Sequence, residues 1–273
     1  MKKTARMVAL VAALALVLAA CGDDGDTGGT GGDTTDTTAA AADLGLVAEG
    51  TLTVCTDAPY PPMEMEDADA EGGYTGFDIE LMRAIGEDLG LGLAVNNTGF
   101  DPITSGLAME AGDCDVAAAS ITITEEREES IDFTDSYFSA EQSLLTSDES
   151  GLTALADFGG SSIAVQSGTT GEMYAQENAP EDAELVSFEN PGDIFLALGA
   201  DNVQGVLQDI VPNADFVLNN EGYTIVETFP TDESYGFAVK EEGAEDLLAA
   251  INSSLATLRD DGTYDQIYAD WFE

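Results

Sequence analysis

Histidine does not occur anywhere in the 273-residue chain, and lysine and arginine together number only 7. The first absence removes the chemistries that need imidazole, including Ser-His-Asp and Cys-His nucleophile activation and His-based zinc sites. The second excludes nucleic acid as a partner: phosphate neutralisation takes clustered Lys and Arg, whereas 54 Asp and Glu here give a formal charge of -47. Cysteine is scarce too, and three residues without a Cys-x-x-Cys spacing cannot build an all-thiolate zinc site. No metal and no cofactor is expected. What the chain has is an ordinary apolar share, 44% hydrophobic. Its charge therefore does not imply disorder throughout, and a core in one or two domains is expected.

Lys2, Lys3 and Arg6 precede an apolar run from Met7 to Ala20 that ends Leu18-Ala19-Ala20-Cys21. A basic start, a short apolar centre and small residues before a cut make residues 1–20 a signal peptide, too short to span comfortably as a permanent helix. A Cys directly after Leu-Ala-Ala resembles the lipobox of bacterial lipoproteins, in which that Cys is acylated and becomes the new N-terminus. Cys21 is thus the expected lipidation site, and residues 21–45 the acylated Cys with a Gly/Thr/Asp linker. Gly22 to Ala42 contain no large apolar side chain, so this stretch reads as a flexible tether spanning roughly 25 Å. Its aspartates lack EF-hand spacing. Removal of the signal leaves four basic residues, Arg83, Arg127, Lys240 and Arg259, against all 54 acidic ones. Self-repulsion on that scale is relieved by screening, so a salty, halophilic setting is expected.

Beyond residue 46, strand-like and helix-like patterns alternate. TLTVCT (51–56), LGLAV (91–95), DVAAAS (115–120), SSIAVQ (161–166), AELVSF (183–188) and VQGVLQD (203–209) read as strands. FDIELMRAIGEDLG carries the apolar stripe Phe77, Leu81, Met82, Ile85, Leu89 of an amphipathic helix, and ITSGLAMEAG (103–112), a segment from Thr170 and another near 192–199 also read as helices. A last helix spaced by Leu247, Leu248, Ile251, Leu255 and Leu258 breaks at Gly262 before a short aromatic helix. Two such series predict two α/β lobes with parallel sheets.

In open α/β sheets, ligands collect at the carboxyl ends of strands. Those positions hold Asp57 to Pro62, Phe100, Ser120 to Arg127, Gly168 to Thr170, and Asp209. Arg127 offers a planar fork for a carboxylate, and Gly168-Thr169-Thr170 opens a helix whose free N–H groups favour an anion. Asp209 can accept from an ammonium, while Tyr60 and Phe100 can enclose an apolar stem. The set describes a receptor for a zwitterion.

The segments TDAPYPPMEM, GYTGFDIELMRAI, ASITITEERE, IDFTDSYF, VQSGTTGEMYA, VLQD and LRDDGTYDQIYADWF resemble, in order and spacing, the polar amino-acid-binding proteins of bacterial ABC importers. The resemblance implies a two-lobed periplasmic-binding-protein-like α/β fold, with residues 46–139 plus 236–273 in the first lobe, 140–235 in the second, and hinge crossings near 138–142 and 231–237. It implies that Arg127 takes the ligand α-carboxylate with help near Thr122 and from Thr169 and Thr170. Asp209 and Ser120 would hold the α-ammonium, Tyr60 and Phe100 would flank the side chain, and Asp57 and Glu64 would read its far end. Ala119 stands where some members have a second hydroxyl. The implied partners are one amino acid (Arg, Lys, ornithine or Gln) and the permease of an ABC transporter, with the membrane reached through Cys21 and the protein a monomer. An enzyme on the same fold, a dehydratase of small carboxylated rings using Asp57, Glu64 or Asp209 as general acid, is the alternative from another class; a sensory ligand-binding domain is a third.

Cys55 and Cys114 are expected to be free, buried thiols. If TLTVCT and DVAAAS are parallel neighbours, an offset of four to five residues separates the two by roughly 15 Å, beyond disulfide reach.

Overall fold

The strand TLTVCT is apolar or β-branched at every position, which suits a strand covered on both faces. In the computed structural model, which describes residues 44–273, it is buried from Leu52 through Thr56. The expected signal peptide, the expected lipidation site Cys21 and the expected linker as far as residue 43 lie outside the described residues. In chain order the elements are β1 (Thr51–Thr56), β2 (Met65–Glu66), β3 (Tyr74–Thr75), α1 (Phe77–Asp88), β4 (Gly92–Asn97), α2 (Phe100–Thr104), α3 (Leu107–Glu110), β5 (Val116–Ala117), β6 (Ile131–Phe133) and β7 (Phe138–Ser147). There follow β8 (Ser162–Gln166), α4 (Thr170–Asn178), β9 (Glu184–Phe188), α5 (Pro191–Gly199), β10 (Gly205–Asp209), α6 (Ile210–Asn219), β11 (Tyr223–Tyr235), β12 (Ala238–Lys240), α7 (Glu245–Asp261) and α8 (Thr263–Phe272).

Two five-stranded sheets organise the lobes, ordered β4-β1-β5-β12-β6 and β11-β7-β10-β8-β9. In the first, only β12 opposes the other four strands, and in the second only β7 does. Alternation along each strand builds a core on either face. Leu52, Val54, Val116 and Ala118 join one apolar cluster, and Cys55, Ala117 and Ala119 join another. Ile163, Val165 and Leu207 face one way from the second sheet, with Ala164 and Val206 on the other. Helix α7 presents Leu247, Ile251, Leu255 and Leu258 to the first core, and from α8 Tyr264, Ile267, Trp271 and Phe272 pack against it.

The chain leaves the first sheet through β7 and returns through β11. These strands pair antiparallel from Tyr223↔Ser147 to Tyr235↔Phe138, with a register shift between Phe229 and Glu233. Residues 138–142 open β7, and 231–235 close β11.

Two expectations change. The helix expected over 103–112 is broken into α2 and α3. Gly106 lies between them at φ 78, and a Cβ there would come within 2.8 Å of the Ser130 carbonyl oxygen, so the chain turns where a side chain could not fit. Cys55 and Cys114 are not free thiols: they form a disulfide, with Cα atoms 5.6 Å apart. The two strands are parallel neighbours, but Cys55 pairs with Ala117, three residues past Cys114. Cys114 also precedes β5 in a turn, with Asp113 N–H bonded back to the Ala108 carbonyl. An offset measured along an extended chain overstates the distance when the chain bends before the strand. Both cysteines lie in one apolar cluster with Phe100, Ile103 and Met109.

Candidate functional site

All ten residues expected at the site line one cavity between the sheets: Asp57, Tyr60, Glu64, Phe100, Ser120, Thr122, Arg127, Thr169, Thr170 and Asp209. The fold places them there by the strand-end rule. Asp57 follows β1, Ser120 and Thr122 follow β5, Thr169 and Thr170 follow β8, and Asp209 ends β10. Tyr60 and Glu64 sit on a tight turn closed by the hydrogen bond from Tyr60 N–H to the Glu64 carbonyl, 2.7 Å. The cavity measures about 20 Å3, room for a water molecule.

Arg127 is not a surface ion-pair residue. It is buried, and among the described residues the only ion pairs are those of Arg83. Its Nη1 donates to the Thr122 carbonyl at 2.7 Å, and its Nη2 reaches the other lobe at the Gly168 carbonyl, 3.1 Å. The guanidinium stands 5.0 Å from the centre of the Phe100 ring, a cation–π contact that fixes its plane. Gly168 has φ 72, a left-handed backbone conformation that favours glycine at this point.

Asp209 stands at the N-cap of α6 yet makes no capping bond with its side chain. It accepts instead from Tyr60 Oη at 2.9 Å, Tyr235 Oη at 2.6 Å and Gln142 Nε2 at 2.5 Å. Thr169 does cap its helix, its Oγ1 accepting from Glu172 N–H at 3.1 Å, which leaves Thr170 Oγ1 to face the cleft. Ser120 donates to Glu64 at 3.3 Å, and its backbone N–H donates to Asp78 at 2.9 Å.

Sequence reasoning missed Gln166, Gln142, Glu233 and Asp78. Gln166 lines the cavity, donates to Asp57 at 2.6 Å, and was readable as the last residue of SSIAVQ. Gln142 lies within β7 opposite Asp209, and Glu233 lies near the carboxyl end of β11; neither strand is among those read from the amino-acid pattern. Asp78 is fully buried on α1 and accepts from Tyr137 Oη at 2.7 and 2.8 Å.

Acid dominates the cleft. Burial pushes Asp57 up to about 7, with the Gln166 hydrogen bond pulling the other way. Burial likewise raises Asp209 to about 6, and the charge of Glu233 adds to the rise while Tyr235, Tyr60 and Gln142 oppose it. Asp78 is raised to about 7 by burial. Glu64 is raised by burial and then by the neighbouring charges of Asp78 and Asp57. Burial lowers Arg127, opposed by the charges of Asp209, Glu233 and Glu126. Among the described residues, the cleft thus holds one guanidinium amid carboxyl groups that resist ionisation.

The acids make stability depend on pH. Asp57, Asp78 and Asp209 have folded values above the ordinary 3.8, so between about pH 4 and 7 the folded protein keeps protons that the unfolded chain gives up. The stability they contribute is complete below the unfolded value and is lost as pH rises through 6 to 7. The melting temperature of the ligand-free protein is therefore expected to fall between pH 5.5 and 8 in a thermal-denaturation series. A melting temperature that rises over that interval would contradict the assignment.

Comparison with known proteins decides the family. Residues 52–273 match the model of bacterial extracellular solute-binding proteins, family 3. The chain belongs to this family. It is 35% identical over 208 residues to the ABC transporter glutamine-binding protein GlnH of Bacillus subtilis (strain 168), covering 75% of each chain. An ancestral arginine-binding protein bound to arginine superposes with a TM-score of 0.75 at 36% identity, covering 82% of this chain and 99% of that one. The ancestral amino acid-binding protein AncCDT-1, described as a precursor of cyclohexadienyl dehydratase, gives 0.72 at 33% identity, over 82% and 96%. The relatives are amino-acid-binding proteins of ABC transporters, and this family member is a solute-binding protein rather than an enzyme.

Proposed function

We propose that the protein is a lipid-anchored receptor that captures a polar or cationic L-amino acid between its lobes and delivers it to an ABC transporter permease. The observation that carries the ligand class is the charge arrangement of the cleft: Arg127 is the one guanidinium lining the cavity among the described residues, Asp57, Glu64 and Asp209 line it too, and the charges of Asp209 and Glu233 bear on Arg127. A free amino acid complements that arrangement with one carboxylate for Arg127 and Thr170, and one ammonium for Asp209 and Ser120. A second positive charge at the far end of the side chain supplies the counter-charge that Asp57 and Glu64 lack, which favours arginine, lysine or ornithine over glutamine. Relatives named for glutamine and for arginine support the class and span both options.

Closure follows from the placement of the groups. Arg127, Ser120, Tyr60 and Asp57 come from segments of the first sheet, and Thr170 and Asp209 from segments of the second, so a ligand touching both sets binds the closed arrangement more tightly and shifts the population toward it. Residues 46–139 with 236–273, and 140–235, are the proposed lobes, and β7 and β11 the proposed hinge. The N-terminal pattern ending at Cys21 supports a signal peptide, acylation and anchoring on the outer face of the cell membrane, with the Gly/Thr/Asp segment as tether to a monomeric receptor. The excess of acid supports a saline environment.

A thermal-shift panel of the twenty common amino acids and ornithine, followed by calorimetry, tests the reading. The expected result is a rise in melting temperature confined to a few ligands, led by the cationic ones, with 1:1 stoichiometry. A flat panel would overturn the proposal, and a shift produced by glutamine alone would remove its preference for a second positive charge.

A further inference from the structure

The amino-acid reading leaves Glu233 without a task, yet its carboxylate holds the hydroxyls of Thr122 and Thr170, both of which line the cavity. Its Oε2 accepts from Thr122 Oγ1 at 2.9 Å and from Thr170 Oγ1 at 2.7 Å, one threonine from each lobe. Its Oε1 accepts from Gln142 Nε2 at 3.1 Å, the same amide nitrogen that serves Asp209. Glu233 sits on β11 directly after the register shift, opposite Ala140 of β7, so it projects from the crossing strand itself. Asp232 just before it has φ 53, a left-handed turn that accommodates the extra residues of the shift. Its charge also bears on Arg127.

We propose that Glu233 is a built-in competitor for the ligand carboxylate: it occupies the threonine hydroxyls of the anion site and clasps the empty lobes together until an amino acid displaces it. This role rests on the amino-acid reading of the cleft. A carboxylate accepting three hydrogen bonds is a strong local clasp. It also stands beside the incoming carboxylate as a like charge, so it weakens binding of every zwitterion and sets a floor under the affinity. Because Glu233 sits on a strand that crosses between the lobes, parting the lobes breaks the bridge its carboxylate makes between Thr122 and Thr170.

The test uses the full chain, its Glu233→Ala variant and its Glu233→Gln variant, with circular dichroism to verify folding. Small-angle scattering of the ligand-free proteins reads the clasp: the expected result is a larger radius of gyration for Glu233→Ala than for the unaltered protein, and an unchanged radius overturns the proposal. Calorimetric titration with arginine, lysine, ornithine and glutamine reads the competition, with both variants expected to bind on the order of tenfold more tightly. Equal or weaker affinity overturns it, and if Glu233→Ala does not fold, the isosteric Glu233→Gln carries this arm. If the unaltered protein binds none of the four, the amino-acid reading falls, and the scattering result still decides whether Glu233 holds the lobes.

Discussion

Arg127→Ala is expected to abolish detectable amino-acid binding while the protein stays folded. The guanidinium is buried, held in plane by the Phe100 ring and by carbonyls from both lobes, so its geometry is set before a ligand arrives. A preorganised fork of this kind meets a carboxylate with two parallel hydrogen bonds at little entropic cost. Truncating one partner of a buried charge pair costs about 2 to 5 kcal/mol, a loss of roughly thirtyfold to several thousandfold in affinity. Here the loss belongs near the upper end, because the ionisable groups left around the ligand carboxylate are acids that would repel it. Arg127→Lys should recover little, since an ammonium is a point donor that cannot serve the Thr122 and Gly168 carbonyls and a ligand together. The fold should survive, because Arg127 belongs to none of the apolar clusters. Calorimetry of both variants beside their circular dichroism checks this, and an affinity for the ligand within threefold of the unaltered protein would remove Arg127 from the site.

Arg127 also marks how far the site is legible in the amino-acid sequence. Its chemistry stands out because so few bases compete with it, and the rule that ligands gather at strand carboxyl ends brings Asp57, Ser120, Thr170 and Asp209 to the same place. Each of these is fixed by a strand that a short apolar pattern reveals. Gln142 and Glu233 escape because neither β7 nor β11 shows as a strand in the amino-acid pattern, so the rule has no strand end there to apply to, although Glu233 lies near the carboxyl end of β11 and Gln142 opposite Asp209. Asp78 escapes because helical periodicity assigns burial to apolar residues, and nothing local announces that the Ser120 N–H and the Tyr137 hydroxyl, from distant segments, will satisfy a buried acid. The break between α2 and α3 depends on the Ser130 backbone crowding Gly106. Such contacts are tertiary, and sequence periodicity carries no record of them.

The second large effect concerns the bond that the extended-strand reading excluded. Reduction of Cys55–Cys114, or its replacement by alanines, is expected to lower stability by about 2 to 4 kcal/mol, a fall in melting temperature of roughly 5 to 15 °C for a body of this size. The link closes a segment of sequence separation 59 that contains β4, α1, α2 and α3. Closing a segment that long removes much of the freedom of the unfolded chain. Packing adds a separate contribution, because both residues are buried in an apolar cluster with Phe100, Ile103 and Met109. The two contributions can be separated. Reduction removes the cross-link and lets the two sulfur atoms move apart to non-bonded contact while keeping them in the cluster, whereas the double alanine variant also removes their volume, so it should melt below the reduced protein. The effect should extend to the cleft, since Cys55 lies two residues before Asp57 and its cluster supports Phe100, the ring beneath Arg127. Differential scanning calorimetry of the oxidised, reduced and Cys55→Ala/Cys114→Ala proteins checks the order. Identical melting temperatures for the oxidised and reduced forms would mean that the bond does not constrain the unfolded chain, and the stabilising role assigned to it would fail.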